Sequence, residues 1–245
     1  MERKSGMGVS VVYRPTTWSY IATLLLITIT LTIISLSSIQ VFTEGLMIPP
    51  QIAIIAFYIS LLGSAINIPL TYIKTVEYGL YYQEINIFGI RWFLPSIGLR
   101  ERKTLIAINL GGAIIPLAIS TYILTRLPQT VNVYMKIAIA TIIISITVNK
   151  LSRIIPGFGI AVPGFIPPLI TALTSIAISM IPPKCNPAFI AYISGTLGTL
   201  IGADLMNMNR IPELGASMVS IGGAGTFDGI YLTGIVAAAL TLTLI

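Results

Sequence analysis

Eight carboxylates are all the acid chemistry available to a chain of 245 residues. Glu2, Glu44, Glu77, Glu84, Glu101 and Glu213 fall in terminal or loop-like stretches, where solvation is the usual role of an acid. The other two are aspartates at the edges of apolar runs. Asp204 closes GTLIGAD and Asp228 closes GGAGTFD. Consecutive membrane helices run antiparallel, so the end of one and the start of the next share a membrane face. Both carboxylates are therefore expected at similar depth. A charge within a bilayer is unfavourable by roughly 2.5–3.5 kcal/mol on insertion scales, which makes intramembrane acids functional candidates. Two neighbouring carboxyls ionise together only with difficulty: desolvation raises both pKa values and mutual repulsion raises one further. Such a pair shares a proton, one member accepting from a water while the other donates to a carbonyl oxygen. A proton-coupled carrier or pH-gated pore would use the same pair to bind and release a proton. The structural alternative has Asp228 capping a helix N-terminus and Asp204 pairing with neighbours such as Asn207, Asn209 and Arg210.

The rest of the composition narrows the chemistry. There is no histidine, so no imidazole shuttle, Ser-His or Cys-His nucleophile or histidine zinc site is available. The single cysteine, Cys185, forms neither an internal disulfide nor a thiolate cluster. No Gly-rich phosphate cradle follows a strand, and Ser220 has no lysine nearby in sequence. No metal or cofactor is implied. Glycines surround both aspartates. Gly195, Gly198 and Gly202 recur at helical spacing and give a face for close helix approach. Gly222, Gly223, Gly225 and Gly229 loosen the backbone around Asp228, to admit a substrate strand, a water or an ion, or simply for packing. Gly202, Gly223, Gly225, Thr226, Gly229 and Asn109 are the expected supporting residues. Asn109 stands beside Gly111 and Gly112 in an apolar run, as interhelical glue or as a ligand.

These groups need elements to hold them. The chain is 55% hydrophobic and 9% charged, with a mean hydropathy of +0.93; soluble domains carry about a quarter charged residues. Spans of roughly 20 apolar residues are expected at 18–42, 50–73, 104–126, 131–149, 166–182, 186–206 and 227–245. The predicted fold is a single all-helical polytopic membrane domain, residues 18–245, behind a cytoplasmic segment 1–17. Eleven of the 14 cations fall in the segments that seven spans place inside, so the N-terminus is expected in and the C-terminus out. The net charge of +6 then reads as an orientation signal in a multi-pass protein of the cell membrane, and nucleic acid is not an expected partner. The expected partners are the lipid bilayer and transmembrane peptides or protons and cations. Two connections stand out. Residues 78–94 (YGLYYQEINIFGIRWFL) are rich in aromatics; Phe88-Gly89 would turn a short hairpin, or the stretch is an interfacial aromatic segment at the cytoplasmic surface. Residues 153–168 (RIIPGFGIAVPGFIPP) hold too much Pro and Gly for one helix and are expected as a re-entrant or buried loop.

The stretches INLGGAIIPLAIS (108–120), IPGFGIAVPGFIPP (155–168), SGTLGTLIGADLMN (194–207) and SIGGAGTFDGIYLTGI (220–235) resemble an uncharacterised archaeal and bacterial membrane-protein family, domain of unknown function 1614. That resemblance covers about residues 50 to 245; it implies a multi-span fold and no activity. Asp204 and Asp228 are more distantly similar to the acids of presenilin-like and signal-peptide-peptidase-like intramembrane proteases, which place one Asp on each of two neighbouring helices, the second in a Gly-x-Gly-Asp context. Here Thr226 and Phe227 separate Gly225 from Asp228, no Tyr precedes Asp204, and the Pro-Ala-Leu element of those proteases is missing. The layout also resembles the Bax-inhibitor-like calcium leak proteins, which carry two buried aspartates on late helices, without a match in motif. The resemblances imply a di-aspartyl intramembrane peptidase, or alternatively a proton-responsive transporter or channel, with a structural or assembly protein as the third reading.

Overall fold

The computed structural model describes residues 26, 29, 32, 33, 35–127, 131–156, 159–223 and 229–245, with the side chains at 75–81 and 97–102 excepted. Met1–Ser37 is one compact unit, and its described residues are helical. Ser38–Ile245 is the second unit, and its architecture follows. A π-helical turn, Val41–Gly45, leads to helix α1 (Pro50–Gly63). Two long strands come next, β1 (Asn67–Ile87) and β2 (Ile90–Asn109), and then α2 (Leu110–Arg126) and α3 (Val131–Leu151). A small hairpin of β3 (Arg153–Ile155) and β4 (Gly159–Ala161) precedes α4 (Ile166–Ser179). Helix α5 (Pro187–Leu214), strand β5 (Met218–Ile221) and α6 (Gly229–Leu244) complete the chain.

The all-helical, seven-span expectation is corrected by this structure. The unit is mixed: β1, β2 and β5 form a three-stranded sheet in the order β1-β2-β5. β1 and β2 are antiparallel, and β5 runs parallel to β2. Among the described residues only α3 and α5, of 21 and 28 residues, are long and apolar enough to cross a membrane. The expected spans at 50–73 and 104–126 fail for one physical reason. Their outer parts, INIPLTYI (66–73) and TLIAIN (104–109), are short apolar runs rich in β-branched residues. Such a run reads equally as buried strand or buried helix, and Pro69 is poorly tolerated inside a helix. As strand it sits on edge strand β1, beside a bulge between Pro69 and Thr71. The in/out assignment loses its basis with the spans, because Lys74, Arg91, Arg100, Arg102 and Lys103 lie on the hairpin strands and not in a loop between two helices.

The turn does fall at Phe88-Gly89, both with positive φ (54° and 82°), the backbone of a two-residue type I′ hairpin. The hairpin is far from short, since its strands hold 21 and 20 residues. The Pro/Gly-rich stretch after α3 becomes the β3–β4 hairpin, and Pro167 and Pro168 enter the first turn of α4, where a missing N–H is harmless.

α5 is the hub. It packs against α3, α4 and α6, and Ile190, Ala191, Tyr192, Ile193 and Ser194 are all fully buried, so the helix is enclosed on every side. Glycines set these approaches. A Cβ on Gly198 would sit 2.7 Å from Cβ of Ile144 on α3, and one on Gly195 would sit 3.1 Å from the Thr233 carbonyl oxygen on α6. Outward, α1 bares Ile52, Ile55, Tyr58 and Leu62 and α3 bares Ile139, Ile142 and Ile146. The hydroxyls of Thr141, Ser145 and Thr147 bond back to the carbonyl four residues earlier, hiding polarity within the helix. Helices of spanning length with aliphatic outer faces are the features of a membrane protein.

Candidate functional site

The site forms where α5 changes its helical form. It is α-helical to Thr199, becomes a π turn over Leu200–Asp204, and continues as a 3-10 helix over Leu205–Leu214. Single π turns inside helices are frequent at functional positions, because they free backbone groups from the ordinary ladder. Here the freed carbonyls are covered by amides. Asn207 Nδ2 donates to the Gly202 and Ala203 carbonyls at 3.2 and 2.9 Å, and Asn149 Nδ2 of α3 reaches Gly202 O at 3.1 Å. Asn207 also donates to Ser152 Oγ at 3.0 Å. Gly202 itself meets the Ser145 backbone so closely that a Cβ would overlap the Ser145 carbonyl oxygen.

Asp204 is the last residue of the π turn and is half-buried. Its Oδ2 accepts the Gly222 N–H at 2.9 Å. Gly222 has a positive φ of 70°, and a Cβ there would come within 2.6 Å of Ala113 Cβ. The Gly-Gly step after β5 is thus pinned between Asp204 and the start of α2. Arg210 pairs with Glu213 at 2.9 Å on the exposed 3-10 segment.

Two cavities share the Asp204 wall. One, of about 170 Å³, is lined by Asn67, Ile160, Ser220 and Gly223 as well as Asp204. The other, of about 190 Å³, is lined by Ile160, Val162, Thr199, Ala203 and Gly229 with Asp204. Thr199 is 2% exposed and its hydroxyl has no hydrogen-bond partner among the described residues. Along α5, Tyr192, Thr196 and Thr199 stand at i, i+4 and i+7, one helical face of buried hydroxyls ending at this cavity.

The first cavity is also walled by β5 residues Met218, Val219 and Ser220. Among the described residues β5 pairs on one side only. Leu105 N–H donates to the Ser217 carbonyl at 2.9 Å, so residues 217, 219 and 221 turn their backbone toward β2, and 218 and 220 turn theirs to the open edge.

The chain belongs to the family described as Protein of unknown function (DUF1614). The match runs over residues 61–240. No curated protein and no solved structure matches the chain. The DUF1614 match takes in every group around Asp204 described above.

The predicted site residues distribute unevenly in this DUF1614 structure. Asp204, Gly223 and Gly229 line the cavities and Gly202 supports the turn behind Asp204. Asp228, Gly225 and Thr226 lie outside the described residues; Gly229, next in sequence after Asp228, shares the second cavity with Asp204. Asn109 is buried one link behind the first cavity. It donates to the Ser64 carbonyl (2.7 Å) and to Asn67 Oδ1 (3.0 Å), and its own oxygen takes the Gly112 N–H (2.8 Å), capping α2. Asn67 Oδ1 also accepts from Ser220 Oγ. Asn207 was expected beside Asp204 and bonds the carbonyls of the turn that carries it; Asn67, Thr199 and Asn149 went unread as site residues, Asn67 and Asn149 being marked only as polar side chains in or beside an apolar run.

Asn109→Ala is expected to lower unfolding stability by about 2 kcal/mol, since it removes a helix cap and leaves the half-buried Ser64 carbonyl without its donor. Denaturant unfolding in detergent micelles checks it; a loss under about 0.5 kcal/mol would mean that the three bonds carry no stability.

Proposed function

We propose that this DUF1614 protein is a multi-pass membrane peptidase of the aspartyl type, with Asp204 as one catalytic carboxyl and Asp228 as the other. The observation that carries the proposal is the setting of Asp204: a carboxylate on the common wall of two cavities, one of them bounded by the open edge of β5. An extended polypeptide pairs with such an edge through its backbone while its side chains enter the flanking pockets. A carbonyl of that segment then lies near Asp204. The two carboxyls share a proton: the ionised one takes a proton from water as it adds to the peptide carbonyl, and the protonated one gives its proton to the carbonyl oxygen. Gly222 N–H holds Asp204 in place by bonding Oδ2. The natural substrates are single-span membrane peptides, and the protein resides in the cell membrane. The purified protein in lipid vesicles is incubated with such peptides from about pH 4 to about pH 8, a range that starts near the ordinary carboxyl value and reaches the raised values seen for buried carboxyls. Cleavage is expected within that range, and its absence throughout counts against the assignment.

One observation favours a second reading, a proton-responsive transporter. The buried hydroxyls of Tyr192, Thr196 and Thr199 make a polar stripe on α5 that ends at the Asp204 cavity, the kind of lining an intramembrane proton route uses. Proton flux into vesicles that falls in Asp204→Asn, without peptide cleavage by the wild type, would select this reading.

A further inference from the structure

We infer that the tip of the β1–β2 hairpin is a lipid-contact site, seated in the headgroup layer of the bilayer through one apolar face. The inference is independent of the chemistry at Asp204. Strands of 21 and 20 residues give a ribbon roughly 65–70 Å long at about 3.3 Å per residue. Its base is held in the fold: Ile106 and Ala107 are buried, and Thr104 Oγ1 donates to the Ala216 carbonyl at 2.9 Å. Midway, Gly79 faces Gly98 across the ladder, a waist without side chains. Beyond it lies a two-stranded tip, and a lone pair of strands is marginal in water without something to cover its apolar face.

The register shows which face needs covering. Residues directly opposite in an antiparallel pair project to the same side. Ile87 faces Ile90, Ile85 faces Trp92, and Gln83 faces Leu94, so one side carries five apolar residues around a single Gln. The other side pairs Asn86 with Arg91 and Glu84 with Phe93, and there Arg91 bonds Glu84 at 3.4 Å. On the apolar side Ile90, Trp92, Leu94 and Ile87 are 61, 55, 48 and 46% exposed. With the turn residue the bare patch is on the order of 500 Å², a size that marks contact sites on protein surfaces.

The turn itself adds an independent sign. Phe88 holds a positive φ of 54° and is fully exposed. A bulky side chain is disfavoured in that conformation, where Asn or Asp serves a type I′ turn readily. Its ring, bare in water, has a use only if something apolar receives it.

Composition and area decide what that is. Lys74, Glu77, Arg100, Glu101, Arg102 and Lys103 lie on the base side of the Gly79–Gly98 waist, and the tip keeps only Arg91 and Glu84, which bond each other. The tip thus has no net charge, and its seating rests on apolar contact. Two such faces packed together would bury only about 1,000 Å² in total, the low limit for a specific interface. Trp and Phe beside an Arg suit the membrane–water boundary, where the rings lie among acyl chains and the charge stays in water.

Trp18 and Trp92 are the two tryptophans of the chain, so Trp18→Phe makes Trp92 the only indole reporter. The full-length Trp18→Phe protein is reconstituted in phosphatidylcholine vesicles with and without phosphatidylglycerol, each containing bromine-labelled lipid. Trp92 emission is expected to be blue-shifted and quenched by the bromolipid in both lipid compositions. Phe88→Asp with Ile90→Asp is expected to weaken tip seating on the order of tenfold; both residues are exposed, so the fold tolerates the change. Two results overturn the inference: indole open to aqueous acrylamide and untouched by bromolipid; or protection that rises only with protein density, which would assign the face to a second copy.

Discussion

Asp204→Asn is expected to reduce peptide cleavage by about 10²–10⁴-fold, the usual contribution of a positioned acid or base. The change is nearly isosteric. The amide oxygen still accepts the Gly222 N–H that now reaches Asp204 Oδ2 at 2.9 Å, so the anchoring of the Gly-Gly step after β5 survives. What is lost is the ability to take and give a proton. Unfolding stability should therefore remain within about 0.5 kcal/mol of the wild type, as for substitutions that break no packing. Rate and stability together discriminate the readings. Lost cleavage with retained stability fits a catalytic carboxyl. Cleavage that persists removes Asp204 from the chemistry. A large drop in stability identifies a structural carboxylate whose charge holds Gly222, and the loss of activity would then be secondary.

How legible Asp204 was, and how illegible its surroundings, has one explanation. A carboxylate in an apolar run carries its own signal, because burial of charge is costly wherever the run ends up. The sheet carried none. Residues 66–73 and 104–109 are apolar on both faces, bared outward at Ile66, Ile68, Leu70 and Tyr72 and buried at Ile106 and Ala107, and this erases the alternation that would have marked them as strands. Each also continues an adjoining helix in composition, α1 in one case and α2 in the other, so helix and strand merge into one apparent span. The junctions were marked only by Asn67 and Asn109, which pair with each other across the ladder. In a membrane setting such residues read as interhelical glue, and the use of Asn109 as the cap of α2 follows only once the strand is known. The hairpin turn was legible because two residues determine it. Its length was not, since the aromatic tip has the composition of a membrane-surface segment. The helices α3 and α5 cover the predicted spans 131–149 and 186–206, whereas α4 and α6 begin near 166 and 227 as expected but, at 14 and 16 residues, are too short to count as spans.

The same contrast applies to the glycines on α5. Their spacing announced close helix approach, but only the structure shows that they divide between neighbours: Gly195 meets α6 and Thr171 of α4, whereas Gly198 and Gly202 meet α3. Gly202 does two jobs. It allows the approach of α3, and its carbonyl, released by the π turn, receives both Asn149 and Asn207. The form of the helix just before Asp204 thus depends on a residue without a side chain.

Gly202→Ala is accordingly expected to be among the most destabilising single changes, upwards of about 3 kcal/mol and beyond the 1–3 kcal/mol typical of overpacking. The added methyl would overlap the Ser145 carbonyl oxygen and lie 3.0 Å from both Cα and C of Ser145. These are backbone atoms of a 21-residue helix, with no flexible side-chain end to swing away. Relief requires α3 and α5 to separate, which loosens the Gly198–Ile144 contact one turn earlier and stretches the Asn149 bond to Gly202. The gain in helix propensity from Gly to Ala, about 1 kcal/mol, offsets only part of this. Gly164→Ala is the control, because nothing lies within 4 Å of a Cβ built there; it should leave the unfolding midpoint unchanged. Denaturant midpoints for the two variants give the comparison. Equal midpoints would show that α3 and α5 yield freely at Ser145, and the π turn would then need a cause other than the clamped approach of the two helices.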